Sequence, residues 1–163
     1  MTDRVFLDTN TLVYFAAADV GKASTVEALL RAGGIISVQV LNELTLACLR
    51  KVGMDWAEVD EVLAVVRAAC RIEPMTEATF DLGRQLAERY QLRVYDAMIV
   101  ASALLAEADT LYSEDMHDGL LVENRLRIRN PFRVRSVQEP GAGPATTTPA
   151  SPPSGMATRR PNV

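Results

Sequence analysis

The sequence predicts an α/β fold built on a mostly parallel sheet. Short apolar runs, each able to make one buried strand, recur along the chain, and segments with helical spacing of apolar residues lie between them. That alternation is the pattern of βαβ units. The third observation is positional: the runs Val5-Phe6-Leu7 and Thr110-Leu111-Tyr112-Ser113 end at or just before an acid, Asp8 and Asp115. Open α/β sheets gather ligands at that edge.

Taken in order, Val5-Phe6-Leu7 predicts the first strand, and residues 12–18 a helix broken by Asp19 and Gly21. Val26, Leu29 and Leu30 form a helical stripe that stops at Gly33-Gly34, a C-cap signal, and Ile35-Ile36 makes a second strand. Ser37 is placed to cap a helix running to about Val52, with Val40, Leu44, Ala47 and Cys48 on one face and Gly53 closing it. Asp55 caps the next helix, with apolar positions at Val59, Val62, Leu63, Val66 and Cys70. Pro74 and Thr76 introduce a helix carrying Phe80, Leu82 and Leu86 and ending near Tyr90. From Asp96 onward, residues 97–106 are almost wholly apolar, which predicts a helix buried on all sides. The 110–113 strand follows, and the alternating Leu126-Arg127-Ile128-Arg129, bounded by Asn130-Pro131, predicts another. Residues 139–163 turn to Pro, Ala, Thr, Gly and Ser, too poor in apolar surface to fold, and are expected to form a disordered tail after a domain spanning 1–138.

A length of 163 residues with 48% hydrophobic content suits one domain with a full core. No apolar run approaches the roughly 20 residues that span a bilayer, and the start lacks the basic flank and apolar stretch of a signal peptide, so a cytoplasmic protein with no membrane association is expected. The two cysteines, Cys48 and Cys70, sit in apolar, helical-looking surroundings outside any metal-ligand spacing and are expected to be small buried hydrophobes. The net charge of −4 argues against nucleic-acid binding by bulk electrostatics, unless several acids are occupied by cations. Arg125, Arg127, Arg129, Arg133 and Arg135 crowd one segment and fit either phosphate contacts or a solvated strand face.

Four acids stand where one site would draw them together. Asp8 and Asp115 follow strands, Glu43 lies early in the helix after the second strand, and Asp96 lies in the first turn of the buried helix, where the helix dipole favours negative charge. Singly, each has a plain structural duty: a turn or cap for Asp8, a solvated helix position for Glu43, an N-cap for Asp96, a surface loop for Asp115 beside Asp118. Together they would repel, by roughly 4 kcal/mol for a pair about 4 Å apart at an effective dielectric near 20, and would demand a cation or protonation. Oxygen-only ligation selects Mg²⁺ or Mn²⁺, ions that also bind substrate phosphates. His117 is the single histidine, which argues against a Ser-His-Asp triad or a His-rich zinc site, and neither a P-loop nor a GxGxxG is present.

These segments resemble a known family. Val5-Phe6-Leu7-Asp8-Thr9-Asn10 is similar to the first motif of PIN domains, and residues 37–44 resemble the second, with its acid at Glu43. Residues 95–103 resemble the third, with Asp96, and residues 109–116 the fourth, ending in Asp115. The four occur in family order over about 5–135, and among family members the chain is most similar to VapC-type toxins of bacterial toxin–antitoxin pairs. The resemblance implies a PIN fold with helices on both sides of its central sheet, Mg²⁺- or Mn²⁺-dependent endoribonuclease activity on RNA, a homodimer, and inhibition by a cognate antitoxin. It implies that Asp8, Asp96 and Asp115 hold one or two cations, that Glu43 completes the shell or positions the attacking water, that Asn10 and Ser113 support the acids, and that Asp118 is an auxiliary acid. A phosphatase of the haloacid-dehalogenase type also places an Asp after its first strand, but needs a second Asp where this chain has Asn10. A catalytically silent PIN-like interaction module would be expected to lack one or more of the four acids, and all four are present.

Overall fold

The computed structural model describes residues 3–133; Arg135 and the segment 139–163 expected to be a tail lie outside the described residues. Six strands form one sheet in the order β3-β2-β1-β4-β6-β5. They are β1 (Val5–Leu7), β2 (Gly34–Ser37), β3 (Cys70–Glu73), β4 (Thr110–Tyr112), β5 (Leu121–Val122) and β6 (Leu126–Arg129). All neighbours are parallel except β5 with β6, which form an antiparallel edge.

Six α-helices connect and cover the strands. Between β1 and β2 lie α1 (Thr9–Ala16) and α2 (Ala23–Ala32); between β2 and β3 lie α3 (Val38–Ala47) and α4 (Trp56–Ala69). α5 (Glu77–Tyr90) and α6 (Val94–Leu105) return the chain from the β3 edge to β4, on the far side of β1. Crossovers between parallel strands are right-handed, so connections that step outward from β1 and the one that steps back lie on opposite faces of the sheet. The expected α/β fold with helices on both sides is what the chain adopts.

Local chemistry explains most boundaries. Asp8 caps α1 by accepting from the Thr9 amide, and Ser37 caps α3 by accepting from the Val40 amide. Asp55 and Glu58 close a reciprocal capping box on α4, and Thr76 with Thr79 does the same on α5. Gly53 stops the third helical segment at φ 82°, a left-handed turn that only glycine adopts without strain. The core gathers Phe6, Leu7, Ile36, Leu12, Val40, Leu44, Leu111, Ile128 and the α6 run Ala97 to Ala103 around the sheet.

Several expectations need correction. The helix from Ser37 is α-helical only to Ala47; Cys48–Val52 is a π-helical turn. Cys70 is not a helix position but the first residue of β3, which follows α4 with no loop, so the helical pattern ran on into it. Phe80 is 54% exposed, because α5 turns Thr79, Gly83 and Leu86 inward instead. Asp96 does not cap α6; Arg93 occupies that place and Asp96 stands in the first turn. Both cysteines are free and buried, as expected, and burial pushes the Cys70 thiol up to about 11, leaving it inert.

Candidate active site

The switch point of the sheet lies between β1 and β4, where strand order reverses, and both strands deliver polar residues there. Asp8 follows β1 directly, and its amide donates to the Tyr112 carbonyl (3.0 Å), which locks it beside the end of β4. Its side chain is 4% exposed. Oδ1 accepts from the Thr9 amide (2.6 Å) and Oδ2 from the Ser113 hydroxyl (2.7 Å). Ser113 is itself fully buried and fixed, its Oγ accepting from the Met116 amide at 3.3 Å and its own amide donating to the Arg129 carbonyl at 2.9 Å. Capping α1 and lying in the site are thus one arrangement: the residue that ends β1 must start α1, and both carboxylate oxygens stay at the sheet edge.

The other acids approach from three elements. Glu43, half-buried on α3, accepts from Thr9 Oγ1 (3.0 Å) and from the Gln39 amide side chain (2.7 Å), one turn earlier on the same helix face. Gln39 also donates to the Tyr95 carbonyl (3.4 Å), tying α3 to the first turn of α6. Asp96 stands in that turn. Asp115, exposed in the loop after β4, accepts from the Asn10 side-chain amide. Its neighbour Glu114 turns the other way, bonded to Tyr14 and to Lys22, whose ammonium stacks over the rings of Tyr14 (4.0 Å) and Phe132 (4.9 Å). That anchor fixes the loop on which Asp115 is carried.

Three adjoining hollows make one open cleft around these groups. One contains Asn10, Lys51, Arg93, Asp96 and Asp115; a second shares Arg93 and Asp96 with it and adds Gln39, Glu43 and Tyr95. The third holds Thr9, Asn10, Glu43, Arg50 and Lys51. No cation is among the groups that act on Asp8, whereas Arg93 acts on Asp96. Burial raises the Asp8 carboxyl from 3.8 to about 6; the bonds from Ser113 and Thr9 oppose this, and the charges of Asp96 and Glu43 add to it. Asp96 is also raised, first by burial and then by Glu43 and Asp115, with Arg93 acting against them.

Glu43, Asp96 and Asp115 therefore line one cleft, and the buried Asp8, next to Thr9 in its lining, feels the charges of Asp96 and Glu43. Among the described residues, however, no three His, Cys, Asp or Glu side chains surround one point as they stand. Glu43 and Asp115 bond to neutral partners, Thr9, Gln39 and Asn10, instead of converging. The donor chemistry fits a hard divalent ion, with oxygen-only ligands and uncompensated buried charge, and bonds to neutral partners are ones a cation can displace. Asp118 is not brought to the cleft: it accepts from the Asn130 amide (2.8 Å) and pairs with Arg133 (3.1 Å), tying the loop before β5 to the segment after β6. Sequence reasoning missed Thr9 and Gln39 as the groups that orient Glu43. Gln39 had a signal, since it stands four residues before Glu43 on a helix, but the bond from Thr9 depends on how α1 meets α3.

Replacing Ser113 by alanine should remove one of the two donors to a buried carboxylate. The expected loss is about 2 kcal/mol of stability at pH 7.5 in chelator, since bonds to charged groups contribute roughly 1.5–3 kcal/mol. The Asp8 titration should move further above its present value of about 6. Denaturant melts and carboxyl NMR read the two effects, and an unmoved titration would show that the bond does not hold the carboxylate.

A PIN-domain family model matches residues 5–117 of the chain. No curated protein matches it significantly. Among solved structures, a sarcin–ricin-loop-cleaving toxin, VapC20 of Mycobacterium tuberculosis, is similar with a TM-score of 0.58 and 19% identity over 68% of this chain and 89% of that one. A toxin–antitoxin complex from Klebsiella pneumoniae is similar with a TM-score of 0.62 and 18% identity, covering 80% and 99%. VapBC2 from Rickettsia felis, bound to a DNA fragment from its promoter, has a TM-score of 0.58 and 21% identity, covering 77% and 97%. At such identities the likeness shows the fold.

Proposed function

The chain belongs to the PIN-domain family, and on that premise we propose that it is a metal-dependent endoribonuclease, the toxin of a type II toxin–antitoxin pair, with Asp8, Glu43, Asp96 and Asp115 as its catalytic acids. One observation carries the proposal. A buried carboxylate at the switch point of the sheet, raised to about 6, lies beside a cleft lined by three further acids, feels the charge of two of them, and is held in place by hydrogen bonds at both oxygens. A purely structural cap would have no reason to be surrounded by like charge.

Asp8, Asp96 and Asp115 would hold Mg²⁺ or Mn²⁺. When bound, the ion supplies Lewis acidity and neutralises charge on the phosphate. The remaining work falls to the chain. Ser113 and the Thr9 amide hold the Asp8 carboxylate at the sheet edge, and Asn10 holds Asp115 in the cleft. Glu43, oriented by Thr9 and Gln39, positions the attacking water and accepts its proton as the oxygen attacks phosphorus; the P–O bond to the adjacent nucleotide breaks and the leaving oxygen is protonated from solvent.

The proposal includes a cognate antitoxin, a second copy of the chain and a cytoplasmic location. Trp56, Phe80 and Val94 are exposed large side chains available for such contacts. Among the described residues no helix is long and apolar enough to cross a membrane. A catalytically silent interaction module is the second reading, favoured because among the described residues no three carboxylates surround one point. Calorimetric titration with Mn²⁺ separates the two, since a silent module need not bind the ion.

The direct test is purified protein with total RNA, with Mg²⁺ or Mn²⁺ and separately with excess chelator, followed by mapping of the ends. Discrete new ends in the presence of metal, and their loss in chelator, are expected. Intact RNA with metal and a folded protein would overturn the nuclease reading.

A further inference from the structure

We propose that Arg50, Lys51 and Arg93 contact phosphates and that Tyr95 stacks beneath a base, so that the cleft seats single-stranded RNA; this rests on the nuclease reading above. An acidic cleft on a chain of net charge −4 repels a polyanion, so a substrate needs cations close by. Three arginines of the segment near β6 do not supply them. Arg125 donates to the Leu104 carbonyl, Arg127 to the Gly119 carbonyl, and Arg133 pairs with Asp118. None of the three lines the hollows that hold Glu43, Asp96 and Asp115.

The cations that do line them come from elsewhere. Arg50 and Lys51 belong to the π-helical turn that ends the α3 segment, closed by the Gly53 amide on the Cys48 carbonyl. A π turn fits more residues into each revolution, so consecutive side chains diverge by a smaller angle than in an α-helix. Here that lets two adjacent cations line the same hollow as Thr9, Asn10 and Glu43. Lys51 reaches as well into the hollow of Asp96 and Asp115, which Arg93 also borders. Arg50, Lys51 and Arg93 are all exposed, and none takes part in an ion pair among the described residues, although seven of the chain's other basic side chains do.

Tyr95 adds the preference for a single strand. Its side chain is part of the second hollow, with Glu43, Asp96 and Arg93, and it is 72% exposed. Its backbone is steadied by Gln39. An exposed aromatic ring between two acids' positions and a free arginine is what an unpaired base stacks on, and bases inside a duplex are not available to it.

The test uses the full chain carrying Asp8→Asn, so that RNA survives, with Mg²⁺ present and a fluorescent single-stranded RNA oligonucleotide as probe. Affinity is followed by anisotropy over a range of salt. Lys51→Ala and Arg93→Ala should each weaken binding and reduce the log–log salt slope by about 0.7, the value for one phosphate contact on a single strand. Tyr95→Ala should weaken it roughly tenfold with the slope unchanged, and Tyr95→Trp should restore it. Arg127→Ala should change neither. Binding that Lys51→Ala, Arg93→Ala and Tyr95→Ala all leave unaltered, or a preference for the same sequence as a duplex, overturns this inference while leaving the nuclease reading intact. No RNA binding by any of these proteins overturns both.

Discussion

Asp8→Asn is expected to lower metal-stimulated RNA cleavage at least a hundredfold and to leave a protein that is more stable at neutral pH in chelator. The first effect follows from removing the buried charge beside the cleft, since even groups that only support a metal ligand change affinity or activity by about 10–100-fold. The second follows from proton linkage. The folded state raises the Asp8 carboxyl from 3.8 to about 6, with burial the main cause, so between those values the folded protein holds a proton that the unfolded chain has lost. Its contribution to stability is therefore present in full below pH 4 and disappears as pH rises through about 6, leaving the fold destabilised by up to roughly 3 kcal/mol above that. Asparagine has no charge to desolvate. It can still accept from the Thr9 amide, and its NH₂ can donate to the Ser113 hydroxyl, so the bonds at both positions survive. Thermal melts of both proteins in chelator should show the variant several degrees higher at pH 7.5 and the two converging near pH 4. Millimolar Mg²⁺ should narrow the gap by stabilising only the parent protein. A variant less stable than its parent at pH 7.5 in chelator would show that Asp8 is a structural cap and not a strained site carboxylate.

Gly83→Val should have the largest effect on the fold. Gly83 lies on the face of α5 that packs against α6, where a Cβ would sit 2.5 Å from Met98 Sδ and 3.3 Å from Met98 Cα. The sulfur can turn away, but the backbone atom cannot without moving α6. A loss of about 3 kcal/mol is expected, at the upper end for overpacked sites. Alanine should cost less, because helix propensity returns about 1 kcal/mol relative to glycine. Asp96 stands two residues before Met98 on α6, so the displacement should also weaken metal-stimulated cleavage. Denaturant melts combined with a cleavage assay test both parts. Retention of full stability by the valine variant would mean that α5 and α6 are free to separate at that point.

Elements with strong local signals were legible before any coordinates. The Asp55 cap, the helix start at Thr76 and the stop at Gly53 are set by near neighbours in sequence, and the structure has each of them. The two short strands that reasoning missed lack such signals. β3 follows α4 directly, and β5 has only two residues, too few to show a period. Phe80 looked like core by its chemistry, but Gly83, with no side chain to suggest contact, is what faces α6.

By itself the sequence determined the α/β alternation, the placing of Asp8 and Asp115 after β1 and β4, and the four acid-bearing segments in their order, because each is written in spacing along a few residues. Tertiary structure decided which groups share the cleft. It drew Arg50, Lys51 and Arg93 around the acids, engaged Arg125, Arg127 and Asp118 elsewhere, and set Thr9 and Gln39 to orient Glu43. Those outcomes depend on strand order and helix packing, which bring together residues up to about a hundred positions apart, and no local pattern encodes such a meeting.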